Sequence, residues 1–172
     1  MLKTVIVAAF ALLAPLPALA QSGPVTPTAK LPPANPLPYE DAEAAAVMTP
    51  INAMFAGLAA HDGAAILAQT RPEGGATVAV EKPDGSRAIR HLSWAEFAAG
   101  IKPGPEKLEE RISTPAIEVD GDIAMVWAPF VFLIDGKAHH CGTNHFDLIR
   151  ENGSWKVLNV TWSQRTTGCA AQ

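Results

Sequence analysis

Apolar residues recur at helical spacing through Ala44, Val47, Met48, Ile51, Met54, Phe55 and Leu58. Steps of three and four place them on one face of a helix. Glu40 and Asp41 precede them and put acid where the helix dipole is positive. Pro50 stands inside the pattern, so a kink or a split into two helices is expected there. His61-Asp62-Gly63 is a stop, and Ala64 to Gln69 reads as a short second helix. Gly74-Gly75 reads as a turn. The period then changes to two. Thr77 to Glu81 and Arg87 to His91 read as strands around Pro83-Asp84-Gly85, where Pro presets φ and Gly accepts a positive one. Ser93 stands three residues before Glu96, the signature of a capping box. It opens a third helix that ends near Gly100, followed by a loop from Pro103 to Lys107.

The last third is strand-like. Leu108 to Glu118 leads to a turn at Asp120-Gly121, Ile123 to Ile134 to one at Asp135-Gly136, and Lys137 to Arg150 to one at Asn152-Gly153. Trp155 to Gln164 closes the run. Asp-Gly and Asn-Gly are the strongest short hairpin signals, so these strands form a four-stranded meander.

The first 38 residues follow neither period. Lys3 precedes an apolar run from Val5 to Ala14, which Pro15 and Pro17 break before Ala18-Leu19-Ala20. Charged start, apolar middle and small-residue end make residues 1–20 a secretory signal, cleaved after Ala20. The run is too short for a membrane span, which needs about 20 apolar residues. Residues 21–38 alternate Pro with Ser, Thr and Ala and read as an extended linker. The domain is then residues 39–172, in the periplasm or outside the cell.

The order helix, helix, hairpin, helix, meander resembles the nuclear transport factor 2-like superfamily, which includes the SnoaL-like cyclases and the ketosteroid isomerases. The resemblance spans residues 39–164. It is carried best by Ala59-Ala60-His61-Asp62 and by the closing hairpin from Phe146-Asp147-Leu148 through Asn152-Gly153-Ser154-Trp155-Lys156-Val157. It implies an α+β fold of order α-α-β-β-α-β-β-β-β: a cone-shaped roll with three helices packed on a strongly curved antiparallel sheet. The open end of such a cone holds an apolar pocket. The fold alone assigns no function.

The isomerases use a carboxylate base with a Tyr and a protonated Asp as oxyanion donors. The resemblance puts the Tyr position near Ala53 or Met54 and the Asp position near Asn144, while the base would come from the hairpin carrying Glu81-Lys82. Tyr39 lies too early in the chain. With two of three positions changed, that mechanism is not expected here, and no residue is assigned as catalytic.

A two-residue turn at Asn152-Gly153 pairs Trp155 with Arg150, Val157 with Leu148, Asn159 with Phe146 and Thr161 with Asn144. This face is expected inside. Asn144, Asn159 and Thr161 then line the pocket, with apolar walls from Phe146 and Trp127 and with His140 in it or at its rim. The alternative is that the amides and hydroxyl satisfy one another in a plain core. The opposite face carries Asp147, His145, Ile149, Leu158, Val160 and Trp162, and a homodimer through that outer face is expected from family habit.

His139-His140-Cys141 and the nearby His145 invite a metal reading, since imidazole and thiolate bind zinc. Neighbours on a regular strand point apart, so no metal site is expected and no cofactor is called for. Cys141 and Cys169, in an oxidising compartment, are expected to form a disulfide. The net charge of −4 lacks the basic cluster that phosphate backbones require. Nucleic acid is therefore not an expected partner, nor is a membrane once the leader is removed. The function expected is an exported domain that binds a small apolar ligand or a protein partner without catalysis. The alternative is a SnoaL-like isomerase, cyclase or hydratase that uses His140 or a carboxylate as base.

Overall fold

An 18-residue helix, α1 (Ala42–Ala59), opens the domain in the computed structural model, which describes residues 37–38 and 41–169. The expected leader, nearly all of the linker and Tyr39 lie outside the described residues. Asp41 caps α1 by accepting from the Glu43 amide at 2.7 Å. The helix runs through Pro50 without dividing, contrary to one of the two outcomes expected. A proline inside a helix costs about 3 kcal/mol. Val47, Met48, Ile51 and Met54 are buried on both sides of it, and each such side chain contributes about 1.5–3 kcal/mol.

Asp62 caps the short α2 (Gly63–Leu67), accepting from Ala65 at 2.9 Å. The capping box forms at α3 (Trp94–Gly100): the Ser93 amide donates to Glu96 at 2.8 Å, and the Glu96 amide donates back to the Ser93 hydroxyl at 3.3 Å.

Between α2 and α3 lie β1 (Thr70–Glu81) and β2 (Arg87–Ser93), and after α3 come β3 (Leu108–Ile112), β4 (Ala116–Asp120), β5 (Ile123–Ile134), β6 (Lys137–Glu151) and β7 (Ser154–Gln164). Together they form one curved sheet in the order β2-β1-β7-β6-β5-β3, with β4 also on β5. The β1–β7 pairing is parallel and the rest are antiparallel, so the sheet is mixed.

Two expectations on strand limits change. Gly74-Gly75 is no turn but part of β1. A side-chain carbon on Gly74 would lie 1.7 Å from the Leu158 carbonyl oxygen, so glycine serves close approach of β1 to β7. The stretch from Leu108 to Glu118 is two strands rather than one, because Pro115 has no amide to donate to a ladder.

The hairpin turns predicted at Asn152-Gly153 and Asp135-Gly136 form, and the one read at Asp120-Gly121 lies one residue on, at Gly121-Asp122, between the paired Asp120 and Ile123. Asn152 and Gly153 adopt φ of 50° and 78°, and Asp135 and Gly136 adopt 52° and 76°, the paired left-handed conformation that suits a two-residue hairpin. Trp155 and Val157 are buried on the inner face against α1.

Candidate functional site

The inner face begins in the expected register and then departs from it. Trp155 pairs with Arg150 and Val157 with Leu148, but Leu158 is an extra residue, after which Asn159 pairs with Asp147, Val160 with Phe146, Thr161 with His145 and Trp162 with Asn144. A bulge of one residue exchanges the two faces of everything beyond it. Asn159 and Thr161 are therefore not in the pocket, and Val160 and Trp162, read for the outer face, turn in. The Asn159 side chain accepts from the Gly75 amide at 3.2 Å and holds β1 at the bulge. Thr161 is exposed. Trp127 is also corrected: it is 52% exposed, because Val126 and Ala128 on either side of it are the inward positions of β5.

What turns inward lines a cavity of about 190 Å³ that is open to solvent on one side. Its walls come from every layer of the cone. α1 gives Met54, Phe55 and Leu58, α2 gives Ile66 and α3 gives Phe97. The sheet adds Phe130, Phe132, Phe146, Val160 and Trp162. Of the residues expected there, His140, Asn144 and Phe146 line it. The ring planes of Phe55 and Phe146 stand 66° apart, and those of Phe97 and Trp162 83°. The rings thus meet as the sides of a box.

One acid enters this box, and sequence reasoning missed it. Glu110, on β3, lines the cavity and accepts from Asn144 Nδ2 at 2.7 Å. Asn144 is itself buried. Glu110 is only partly covered by area, since one side opens on the cavity, yet protein packs closely around its carboxyl. Burial pushes that carboxyl up to about 7, against a smaller downward pull from Asn144. A faint signal existed: Glu110 alternates with Leu108 and Ile112, and the Glu110–Phe132 pairing puts that set beside the inward side of β5.

His140 owes its position to a second bulge. Phe132 pairs with His140 and Leu133 with Ala138, leaving His139 as the extra residue. The bulge corrects the expectation that the two imidazoles point apart, for their Nδ1 atoms lie 2.8 Å from each other. His140 stacks on Phe132 with centroids 4.8 Å apart. Burial, with the His139 imidazole adding to it, pushes His140 down to about 4, so it is neutral at pH 7. Among the described residues no group of three metal-ligating side chains converges.

Outside the cone, Cys141 and Cys169 are disulfide-bonded, with Cα atoms 5.5 Å apart. They pack with Val131 and Leu133 in a small second core on the outer side of the sheet. Such a bond fits an oxidising compartment.

The helices, the curved mixed sheet and the cavity between them define a cone-shaped α+β domain of the nuclear transport factor 2-like fold. Solved structures agree. A nuclear transport factor 2-like protein with a cystatin-like fold from Novosphingobium aromaticivorans is 16% identical with a TM-score of 0.56, over 74% of this chain and 84% of that one. A nuclear transport factor 2-like protein of unknown function from Shewanella baltica is 17% identical with a TM-score of 0.52, over 71% of this chain and 93% of that one. A chain described as the β subunit of an aromatic-ring-hydroxylating dioxygenase from Novosphingobium aromaticivorans is 15% identical with a TM-score of 0.59, over 74% and 92%. At these identities the likeness concerns fold alone. No protein-family model and no curated protein matches the chain.

Proposed function

We propose that this domain is exported and binds a small one-ring molecule in its cone, with the ligand's single polar group against Glu110 and Asn144. One observation carries the reading: an aromatic-walled cavity holds a single hydrogen-bonded acid–amide pair. Few, well-placed polar groups in an apolar cleft are the usual make-up of a ligand site. Size sets the ligand class. A dry cavity of about 150 Å³ accepts benzene, so about 190 Å³ suits one ring with a short substituent. Benzyl alcohol is the test compound, read by tryptophan fluorescence and thermal shift. Saturable binding that Asn144→Ala weakens is expected; no saturable response, or one unchanged by a bulky Val160→Trp block of the cavity, refutes the reading.

Export is part of the proposal. It rests on the leader-like residues 1–20 and on the Cys141–Cys169 bond, which a reducing cytoplasm does not maintain. A mature protein whose N-terminus is Gln21 is expected on sequencing, and an intact Met1 on the purified native protein refutes it.

The position of Glu110 favours a second reading. A carboxyl pushed up to about 7 exchanges protons with a bound molecule at little cost near neutral pH. The domain would then be an acid–base enzyme of the isomerase, cyclase or hydratase kind. Deuterium exchange into cyclohexanone at the carbon beside its carbonyl, faster with the wild type than with Glu110→Gln, is the expected sign. Equal rates remove this reading and leave the binding one.

A further inference from the structure

Charge is what the cavity lacks. Glu110 is the one acid among its described lining residues, and no Lys or Arg stands with it. The other titratable lining group is His140 on β6, which is neutral at pH 7. From α1, α2, α3, β5 and β7 only uncharged side chains face the acid. Asn144 occupies Glu110 Oε1, so Oε2 has no partner among the described residues. An ionised carboxylate in a cleft this apolar is stabilised by an adjacent positive charge.

The walls favour a positive charge too. Phe55, Phe97, Phe130, Phe132, Phe146 and Trp162 line the space, and the planes of Phe55 and Phe146, and of Phe97 and Trp162, cross at steep angles. Aromatic faces are negative, and a box of them attracts ammonium groups.

We propose that the cavity selects a protonated primary amine on a single ring, its ammonium donating to Glu110 Oε2 while the aromatic walls enclose the ring. This inference rests on the binding reading above and sharpens it. A neutral alcohol can hydrogen-bond the acid in either form, accepting from it or donating to it, but leaves the attraction between ammonium and rings unused. An anion would meet no cation at all.

Benzylamine and benzyl alcohol differ only in the group offered to Glu110, and both keep one form from pH 5 to 8. Isothermal titration of the mature protein should give benzylamine an affinity about tenfold above benzyl alcohol at pH 8, the scale of one charge-assisted bond with ring contacts. That advantage should shrink as the pH falls below 7, because Glu110 must ionise to receive the ammonium. Benzyl alcohol should show no such slope. Glu110→Gln should bring benzylamine down to the level of benzyl alcohol and remove the pH slope of the amine. Benzyl alcohol binding as tightly as benzylamine in the wild type at pH 8 overturns the amine selection but leaves the cavity reading standing. Binding of neither compound overturns both. The wild-type pH profile serves if the variant fails to fold: an amine affinity independent of pH from 5 to 8 also overturns the proposal.

Discussion

Replacing Glu110 by Gln should change how stability depends on pH, in a direction opposite to the usual carboxylate. Most native carboxylates are held below their ordinary range and stabilise the fold as they ionise. Glu110 is held above it, moved from 4.5 to about 7 by burial. Between those values the unfolded chain has already released the proton that the folded chain keeps, so stability falls as pH rises through the window. Each pH unit is worth about 1.4 kcal/mol, and the whole window is on the order of 3 kcal/mol. Gln keeps an oxygen for Asn144 but cannot ionise.

The measurement is guanidinium unfolding followed by tryptophan fluorescence at pH 4.5 and pH 8, on wild type and variant. Relative to the variant, the wild type should lose about 3 kcal/mol between the two conditions, roughly 10 °C in Tm for a domain of this size. The comparison with the variant is essential. His140 is pushed down to about 4, so its contribution is lost as pH falls from 6.5 toward 4 and works against the Glu110 slope. His61 works with that slope: both ring nitrogens lie against carbonyls, Lys102 at 2.7 Å and Glu106 at 2.9 Å, which raises its value, so its contribution fades as pH rises beyond its ordinary range. Both effects cancel in the difference. Parallel pH profiles for the two proteins would refute the claim that packing around Glu110 holds its carboxyl above the ordinary range.

Three further outcomes follow from other parts of the fold. The double variant Cys141→Ala, Cys169→Ala opens a loop of 28 residues and should lower stability by about 3–4 kcal/mol in the chain-entropy account, measured by calorimetry against the oxidised wild type. Gly74→Ala should lower Tm more than the surface substitution Gly100→Ala, whose added carbon meets nothing within 4 Å; equal Tm values would contradict the close approach of β1 to β7. Ser93→Ala should cost about 1 kcal/mol, seen as a lower guanidinium midpoint with an unchanged slope.

The features legible in the chain are those fixed by local chemistry. The capping box at Ser93 and the hairpins at Asp135-Gly136 and Asn152-Gly153 are satisfied within a few residues. The helical stripe from Ala44 to Leu58 is equally local, and it outlasts Pro50. Glu110 was not legible because its surroundings are not local. In sequence it sits within Leu108-Glu109-Glu110-Arg111-Ile112, a segment as polar as any surface strand. Only pairing with Phe132 and contact with Asn144, 34 residues away, take it out of water.

The bulge at Leu158 was hidden for the same reason, and the character of the cavity depends on it. Nothing in Val157-Leu158-Asn159-Val160 announces an extra residue. It is held by neighbours from elsewhere: the Trp94 indole donates to the Leu158 carbonyl at 2.9 Å, Gly74 lets β1 approach that same carbonyl, and the Gly75 amide donates to Asn159. Continue the register of Trp155 and Val157 without the bulge, and Asn159 and Thr161 would face the helices while Val160 and Trp162 faced out. The β7 wall of the cavity would then carry an amide and a hydroxyl. With the bulge it carries an isopropyl group and an indole whose N–H is given to Gln164. The same extra residue that turns Trp162 into the aromatic wall therefore also keeps two polar side chains out of the cavity that holds Glu110. On the β7 side of the cavity, wall shape and wall polarity have one structural cause.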